Sequence, residues 1–152
     1  MVSELSNKPE LIVLTIQKEV AERLTAEPPK MNLLSASVMF WGEPKIIKNV
    51  SRHAFRPKPK VESSIIQITP YSEKLRHGAG ENQKSQEDSD RYYSFIRALF
   101  KQPRKTILNN LTDGSNYSKT EVEKFLKSQG IEPKLRPQNL DIDTINNLSQ
   151  SF

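Results

Sequence analysis

Glu10-Leu11-Ile12-Val13-Leu14-Thr15-Ile16-Gln17-Lys18-Glu19-Val20-Ala21-Glu22-Arg23-Leu24 decides how this chain is read. Leu11 to Leu14 is an unbroken apolar run, the pattern of a short strand over 10–15 buried on both faces of a parallel sheet. The period then changes. Ile16, Val20 and Leu24 recur every four residues while Lys18, Glu22 and Arg23 face away, which predicts a helix over 17–26. Pro28-Pro29 ends it. A second helix is predicted over 34–41 from Leu34, Val38 and Trp41, with Gly42 and Pro44 as its stop. Strand, helix and helix within 44 residues make an α/β fold.

Two further strands follow, over 45–50 (Ile46, Ile47, Val50) and 61–69 (Ile65, Ile66, Ile68). Between them His53-Ala54-Phe55-Arg56-Pro57-Lys58-Pro59-Lys60 is predicted to be stiff and extended, since each proline keeps its predecessor out of the helical region. Residues 72–90 are polar, carry Gly78 and Gly80, and read as a flexible linker. The remainder is helical: Tyr92, Phe95 and Leu99 share a stripe, and Thr120 with Glu123 fits a capping box. Gly130 suits a left-handed helix end. The organisation expected is a truncated α/β segment over 1–71, a linker over 72–90 and a small all-helical domain over 91–152. A buried first strand needs neighbours on both sides, so the α/β segment reads as the back end of a larger domain.

The chain has 152 residues, a formal charge of +5, no cysteine and two histidines, His53 and His77. Disulfide scaffolds, thiolate metal sites and cysteine nucleophiles are therefore excluded, and no histidine metal site is expected. No apolar run is long enough to cross a bilayer, and the acidic N-terminus does not resemble a signal peptide, so the expected compartment is the cytoplasm, with no membrane partner. No G-x-G-x-x-G or P-loop is present, and neither histidine lies near a nucleophile elbow. The carboxylate pairs Asp88/Asp90 and Asp141/Asp143 are explained by solubility and capping.

Charge is concentrated. Residues 45–62 carry Lys45, Lys48, Arg52, Arg56, Lys58 and Lys60 against the single carboxylate Glu62. Cations around Phe55 suit phosphate contact with base stacking. The same residues equally suit a solvated loop with Phe55 as a core plug. Lys101, Arg104 and Lys105 form a second cluster, where a helix start and its free backbone N–H groups would pin phosphates, or where the cations merely keep a small lobe soluble.

Three stretches together resemble one family. Gln17-Lys18-Glu19-Val20-Ala21-Glu22-Arg23-Leu24 resembles the Q-K-E-V-A-E-R-L segment of the ribosomal RNA adenine N6,N6-dimethyltransferases. Phe55-Arg56-Pro57-Lys58-Pro59-Lys60-Val61-Glu62-Ser63 resembles their F-x-P-x-P-K-V-[DE]-S loop. Arg104-Lys105-Thr106-Ile107-Leu108-Asn109-Asn110-Leu111 resembles their R-R-K-T-x-x-N-x-L helix, with Pro103 where the first arginine is usual. The tail from Gly130 to Pro133 and from Arg136 to Leu140 is similar to the family's closing segment.

The resemblance implies the carboxy-terminal part of a Rossmann-like, S-adenosylmethionine-dependent methyltransferase fold followed by a small helical RNA-docking domain. It implies methylation of two adjacent adenosines near the 3′ end of small-subunit ribosomal RNA. Phe55 would stack on the target adenine, and Arg52, Arg56, Lys58, Lys60, Lys101, Arg104 and Lys105 would contact RNA. The family's glycine-rich cofactor loop, ribose-binding carboxylate and N-L-P-Y motif are missing from this sequence. The chain alone is thus expected to bind no S-adenosylmethionine and to be inactive. The partners expected are the small ribosomal subunit and a separate amino-terminal half. The alternatives are a related large-subunit adenine methyltransferase fragment and a non-catalytic ribosomal RNA-binding assembly factor.

Overall fold

The computed structural model describes residues 9–71 and 86–152. In chain order the elements are β1 (Ile12–Gln17), α1 (Lys18–Leu24), α2 (Leu33–Met39), β2 (Gly42–Val50), β3 (Ser63–Pro70), α3 (Gln86–Leu99), α4 (Ile107–Gly114), α5 (Lys119–Ser128) and α6 (Ile142–Ser151). Short 3-10 turns lie at Arg52–Ala54 and Pro137–Asn139.

The three strands form one sheet in the order β1-β3-β2, and both pairings are antiparallel. This corrects the parallel arrangement expected from the apolar run. Leu14 and Ile46 both pair with Ile66, and Ile12 pairs with Ile68. Because strand side chains alternate, Ile12, Ile16, Ile46, Ile66 and Ile68 share the face on which α1 and α2 sit with Ala21, Leu24, Leu34, Val38 and Trp41. The other face carries Val13, Thr15, Ile65, Gln67, Lys45 and Lys48. Ile47 is an extra residue at a register shift between Ile46 and Lys48, and it points to solvent. Pro44 belongs to β2 instead of preceding it, which is tolerated because β2 is an edge strand.

Among the described residues β1 is the other edge, paired with β3 alone, and it is not buried on both faces. Leu11, Val13 and Leu14 are 50%, 57% and 43% exposed. The run reads as a doubly covered strand, yet among the described residues one neighbour and one helical layer cover it.

The helical lobe closes more fully. Tyr92, Ile96, Leu99, Ile107, Leu111, Val122, Leu126, Ile145 and Leu148 make a continuous core shared by α3 to α6. Met31, Ala36, Met39 and Phe40 belong to that same core. Helix α2 is therefore two-faced, with Leu34 and Val38 toward the sheet and Ala36 and Met39 toward the lobe. Phe40 stacks on Tyr92 at 3.8 Å between ring centroids. The Tyr92 hydroxyl donates to the Ala36 carbonyl at 3.0 Å, and the Tyr93 hydroxyl to that of Ser37 at 3.3 Å. Burial pushes the Tyr92 phenol far up, so it stays a donor throughout the working pH range.

Helix ends follow local chemistry. Asn32 and Ser35 form a reciprocal capping box on α2. On α5 the box is Ser118 with Glu121, two residues before the expected Thr120 and Glu123; Glu123 instead pairs with Lys127 at 2.7 Å. Gly130 has φ +72, as its place after α5 requires, and a Cβ there would meet nothing, so backbone conformation alone selects glycine. Helix α3 already begins at Gln86, inside the stretch expected as linker. The rest of that stretch, with His77, Gly78 and Gly80, lies outside the described residues.

Candidate nucleic-acid interface

The loop between β2 and β3, residues 51–62, is tied at its base. The Ser64 hydroxyl, buried under the sheet's end, donates to Asn49 Oδ1 at 2.7 Å. The expectation of an extended connector needs correction at its start: Arg52–Ala54 is a 3-10 turn whose His53 N–H donates to the Ser51 hydroxyl at 3.3 Å. The chain becomes extended at Phe55, with φ −113 and ψ 148. The Arg56–Pro57 peptide is cis.

Phe55 is half-buried, while Arg52, His53, Arg56, Lys58 and Lys60 are exposed. None of these cations makes an ion pair among the described residues. Glu62, the one carboxylate of residues 45–62, is engaged elsewhere. Its carbonyl accepts from the Lys18 N–H at 3.0 Å, and its carboxylate lies 3.4 Å from Lys18 Nζ. The contact joins the first turn of α1 to the end of the loop across 44 residues of sequence. It satisfies one of the unpaired N–H groups of α1, which has no side-chain cap. As an exposed ion pair it adds little stability, about 0–1 kcal/mol, but it occupies the charge that would oppose the loop's cations. Sequence reasoning missed this pairing. Its trace in the sequence is that Glu62 is the lone acid of the segment.

The second cluster is organised differently from the expectation. Lys101 Nζ donates to the Asp113 carbonyl at 2.8 Å, and Lys105 Nζ lies 3.0 Å from Asp113 Oδ2. These two lysines tie the turn before α4 to the end of that helix. Asn110, fully buried, accepts from the Gln102 N–H at 3.1 Å and donates to the Gln102 carbonyl at 3.0 Å, which fixes the turn. The backbone N–H groups at the start of α4 are not free for phosphate. Ile107 and Leu108 donate to the carbonyls of Leu135 and Pro133, and Asn109 to the Thr106 hydroxyl. The closing segment that packs there consumes them. Arg104 alone of this cluster is exposed with neither an ion pair nor a side-chain hydrogen bond among the described residues.

Close approach of backbone to a ligand needs a missing Cβ. A Cβ on Gly42 would meet the Thr69 carbonyl oxygen at 3.0 Å, and one on Gly114 would meet the Ala98 Cβ at 2.6 Å. Both are spent on packing, and Gly130 on a helix end, so none of these glycines offers S-adenosylmethionine a cradle. Among them, no group of three or more His, Cys, Asp or Glu is placed to hold a metal ion, and no helix is long and apolar enough to cross a membrane.

The chain is similar to several known proteins. Ribosomal RNA small subunit methyltransferase A of Dehalococcoides mccartyi is 36% identical over 140 residues, a match that takes in 92% of this chain and 45% of that protein. The protein of the same name from Halothermothrix orenii is 35% identical over 146 residues, 93% of this chain and 46% of its own length. The chain thus spans about half the length of these relatives. In fold it is similar to a dimethyladenosine transferase from Plasmodium falciparum, with a TM-score of 0.73 and 23% identity, covering 99% of this chain and 60% of that one. It is also similar to the 23S rRNA methyltransferase ErmE, with a TM-score of 0.64 and 20% identity, covering 93% and 54%. The family model described as ribosomal RNA adenine dimethylase matches residues 2–152, so with sheet, loop and helical lobe all inside the match, the chain belongs to that family.

Proposed function

We propose that this chain supplies the target-base and RNA-docking side of a small-subunit ribosomal RNA adenine N6,N6-dimethyltransferase. The observation that carries the reading is the β2–β3 loop: a half-buried Phe55 among exposed cations without ion pairs, with its lone acid held by Lys18. A partly exposed aromatic ring among cations provides a platform for an extruded adenine. Arg52, Arg56, Lys58 and Lys60 neutralise the phosphates that flank it. In the helical lobe Arg104 is the free phosphate contact, and Lys101 and Lys105 hold the turn that presents it.

S-adenosylmethionine, as the family's methyl donor, supplies the transferred group from residues beyond those described here. Two features support the view that this chain works with a cofactor half, as the carboxy-terminal part of the fold. The described glycines are consumed by packing. The edge of β1 is open, with apolar Leu11, Val13 and Leu14 exposed beside it, which suits a further strand and helical layer. Without that half the chain is an RNA-binding protein that transfers no methyl group, working in the cytoplasm on the small ribosomal subunit.

RNA binding tests the reading. Fluorescence anisotropy with a hairpin whose loop holds two adjacent adenosines is expected to show salt-dependent binding by the full 152-residue chain. Lys58→Gln with Lys60→Gln should weaken it, and Phe55→Ala should cost about 1–3 kcal/mol. Absence of binding by the folded chain, or equal binding by all variants, contradicts the proposal.

A further inference from the structure

Three aromatic rings of the helical lobe frame a hollow of about 250 Å³ that shares no residue with the β2–β3 loop. Tyr117 comes from the turn before α5, Phe125 from α5 and Phe152 from the residue after α6. Phe152 anchors the group. Its ring lies 5.6 Å from that of Phe95, 5.3 Å from Tyr117 and 5.2 Å from Phe125, between centroids. The planes are inclined by 62°, 71° and 61°, so the rings do not cover one another face to face as a stack would. Tyr117 is 50% exposed, and its hydroxyl makes no hydrogen bond among the described residues. Glu121 is the one charged side chain among the residues lining the hollow. The Ser118 amide and hydroxyl both donate to its Oε2, at 2.8 and 2.6 Å, while Oε1 has no partner among the described residues. Those bonds hold the carboxyl below its ordinary range, so it is an anion at neutral pH. Lys124, one turn along, is exposed and forms no ion pair with it among the described residues.

The faces of aromatic rings carry partial negative charge, and Glu121 carries a full one. Both attract a cation, and the carboxylate repels a phosphate. A planar cation that stacks on rings while donating to a carboxylate oxygen is a guanidinium. We infer that this hollow takes an arginine side chain presented by a basic protein partner. Its guanidinium stacks on Tyr117 and Phe125 and donates to Glu121 Oε1, and its aliphatic stem lies along Phe152. A nucleotide base reaches the same rings only by bringing its phosphate toward Glu121, so the charge of the hollow selects protein over RNA. The inference is independent of the RNA-binding reading proposed above. The whole chain has a formal charge of +5, which opposes the approach of basic proteins in general. The hollow is a local exception, and it gives such a partner one place and one orientation in which to dock.

The test follows the ring-proton NMR signals of Tyr117, Phe125 and Phe152 in the full chain. The probes are a peptide with one arginine flanked by glycines, blocked at both ends, and the same peptide with citrulline, a neutral group of the same shape. The arginine peptide should shift all three rings saturably and bind at least about fivefold more tightly than the citrulline peptide. Glu121→Gln keeps the cap of α5, because glutamine also serves at that position, and should weaken the arginine peptide about tenfold. Tyr117→Ala should weaken it about fivefold. Glu123→Gln removes a carboxylate outside the hollow and should change affinity by less than about twofold. Circular dichroism confirms that each variant is folded. Equal binding of the two peptides overturns the inference, as does wild-type affinity in Glu121→Gln or in Tyr117→Ala. A loss in Glu123→Gln as large as that in Glu121→Gln reduces the effect to diffuse charge and overturns it as well. Adenosine 5′-monophosphate that shifts the rings where the arginine peptide does not would give the hollow to RNA and overturn the protein partner. Rings that respond to neither probe overturn the site altogether.

Discussion

The sheet unit and the helical lobe are built from similar side chains but close to different degrees. In the lobe, Ile96, Leu99, Ile107, Leu111, Leu126 and Ile145 are completely removed from solvent. In the sheet unit the buried apolar residues are Ala21, Leu24, Ile66 and Ile68, of which only Ala21 and Ile66 are completely so, while Leu11, Val13, Leu14 and Ile47 stay exposed. A sheet with one covered face and an open apolar edge is half of a sandwich; a helical core sealed on all sides is a finished unit. The lobe therefore carries the stability of the chain. The sheet carries the loop that meets the target base, and it leans on the lobe through α2.

That contrast sets the order of mutational effects. Leu99→Ala opens a cavity in the sealed core and should cost about 2–5 kcal/mol in urea unfolding. A loss under about 1 kcal/mol would show that the lobe is not the stable unit. Tyr92→Phe removes the buried hydroxyl that donates to the Ala36 carbonyl. It should cost about 1–3 kcal/mol and loosen the sheet unit against the lobe, seen as faster amide exchange in α2. Unchanged exchange there would separate the two regions.

Ser118→Ala removes the cap of α5 and should cost about 1 kcal/mol at neutral pH. The Ser118 hydroxyl and amide hold the Glu121 carboxyl below its ordinary range. A group depressed in the folded state contributes stability above its unfolded value, near 4.5, and loses it as pH falls through the folded value. The difference between wild type and variant should then narrow in acid. A gap that stays constant down to strongly acidic pH would show that Glu121 plays no part in the cap.

The smallest effect is expected on the open side. Val13→Lys should change stability by less than about 0.5 kcal/mol while lowering self-association in sedimentation velocity, because a charge on an edge strand blocks strand addition. A large loss of stability would mean that Val13 is packed against something and the edge is closed.

Much of this architecture is legible in local pattern. The helix over Lys18–Leu24, the alternation of Ile66 and Ile68, and Gly130 after α5 each depend on neighbours a few residues away, and the structure follows them, except that Ile16 belongs to β1 and the buried side of α1 is Ala21 with Leu24 in place of Val20. What is not legible depends on partners far along the chain. An apolar run such as Leu11 to Leu14 shows that a strand wants cover but not which strands supply it, so the antiparallel order escapes. Ser118 with Glu121 and Thr120 with Glu123 both satisfy the spacing of a capping box, and packing of α5 chooses between them. At the interface, the cations of the loop are readable as a charge run. The engagement of Glu62 by Lys18, and of Lys101 and Lys105 by Asp113, is not, since each joins residues brought together only by the fold.

The central claim is that these residues present the RNA side of a methyltransferase and need the cofactor half for chemistry. The most direct test is methyl transfer from labelled S-adenosylmethionine to undermethylated small ribosomal subunits, using the chain once circular dichroism shows it folded. No label is expected from the chain alone, and label at two adjacent adenosines is expected when a polypeptide carrying the cofactor half is added. Incorporation by the 152 residues alone would contradict the account, since it would require a complete cofactor site within this chain.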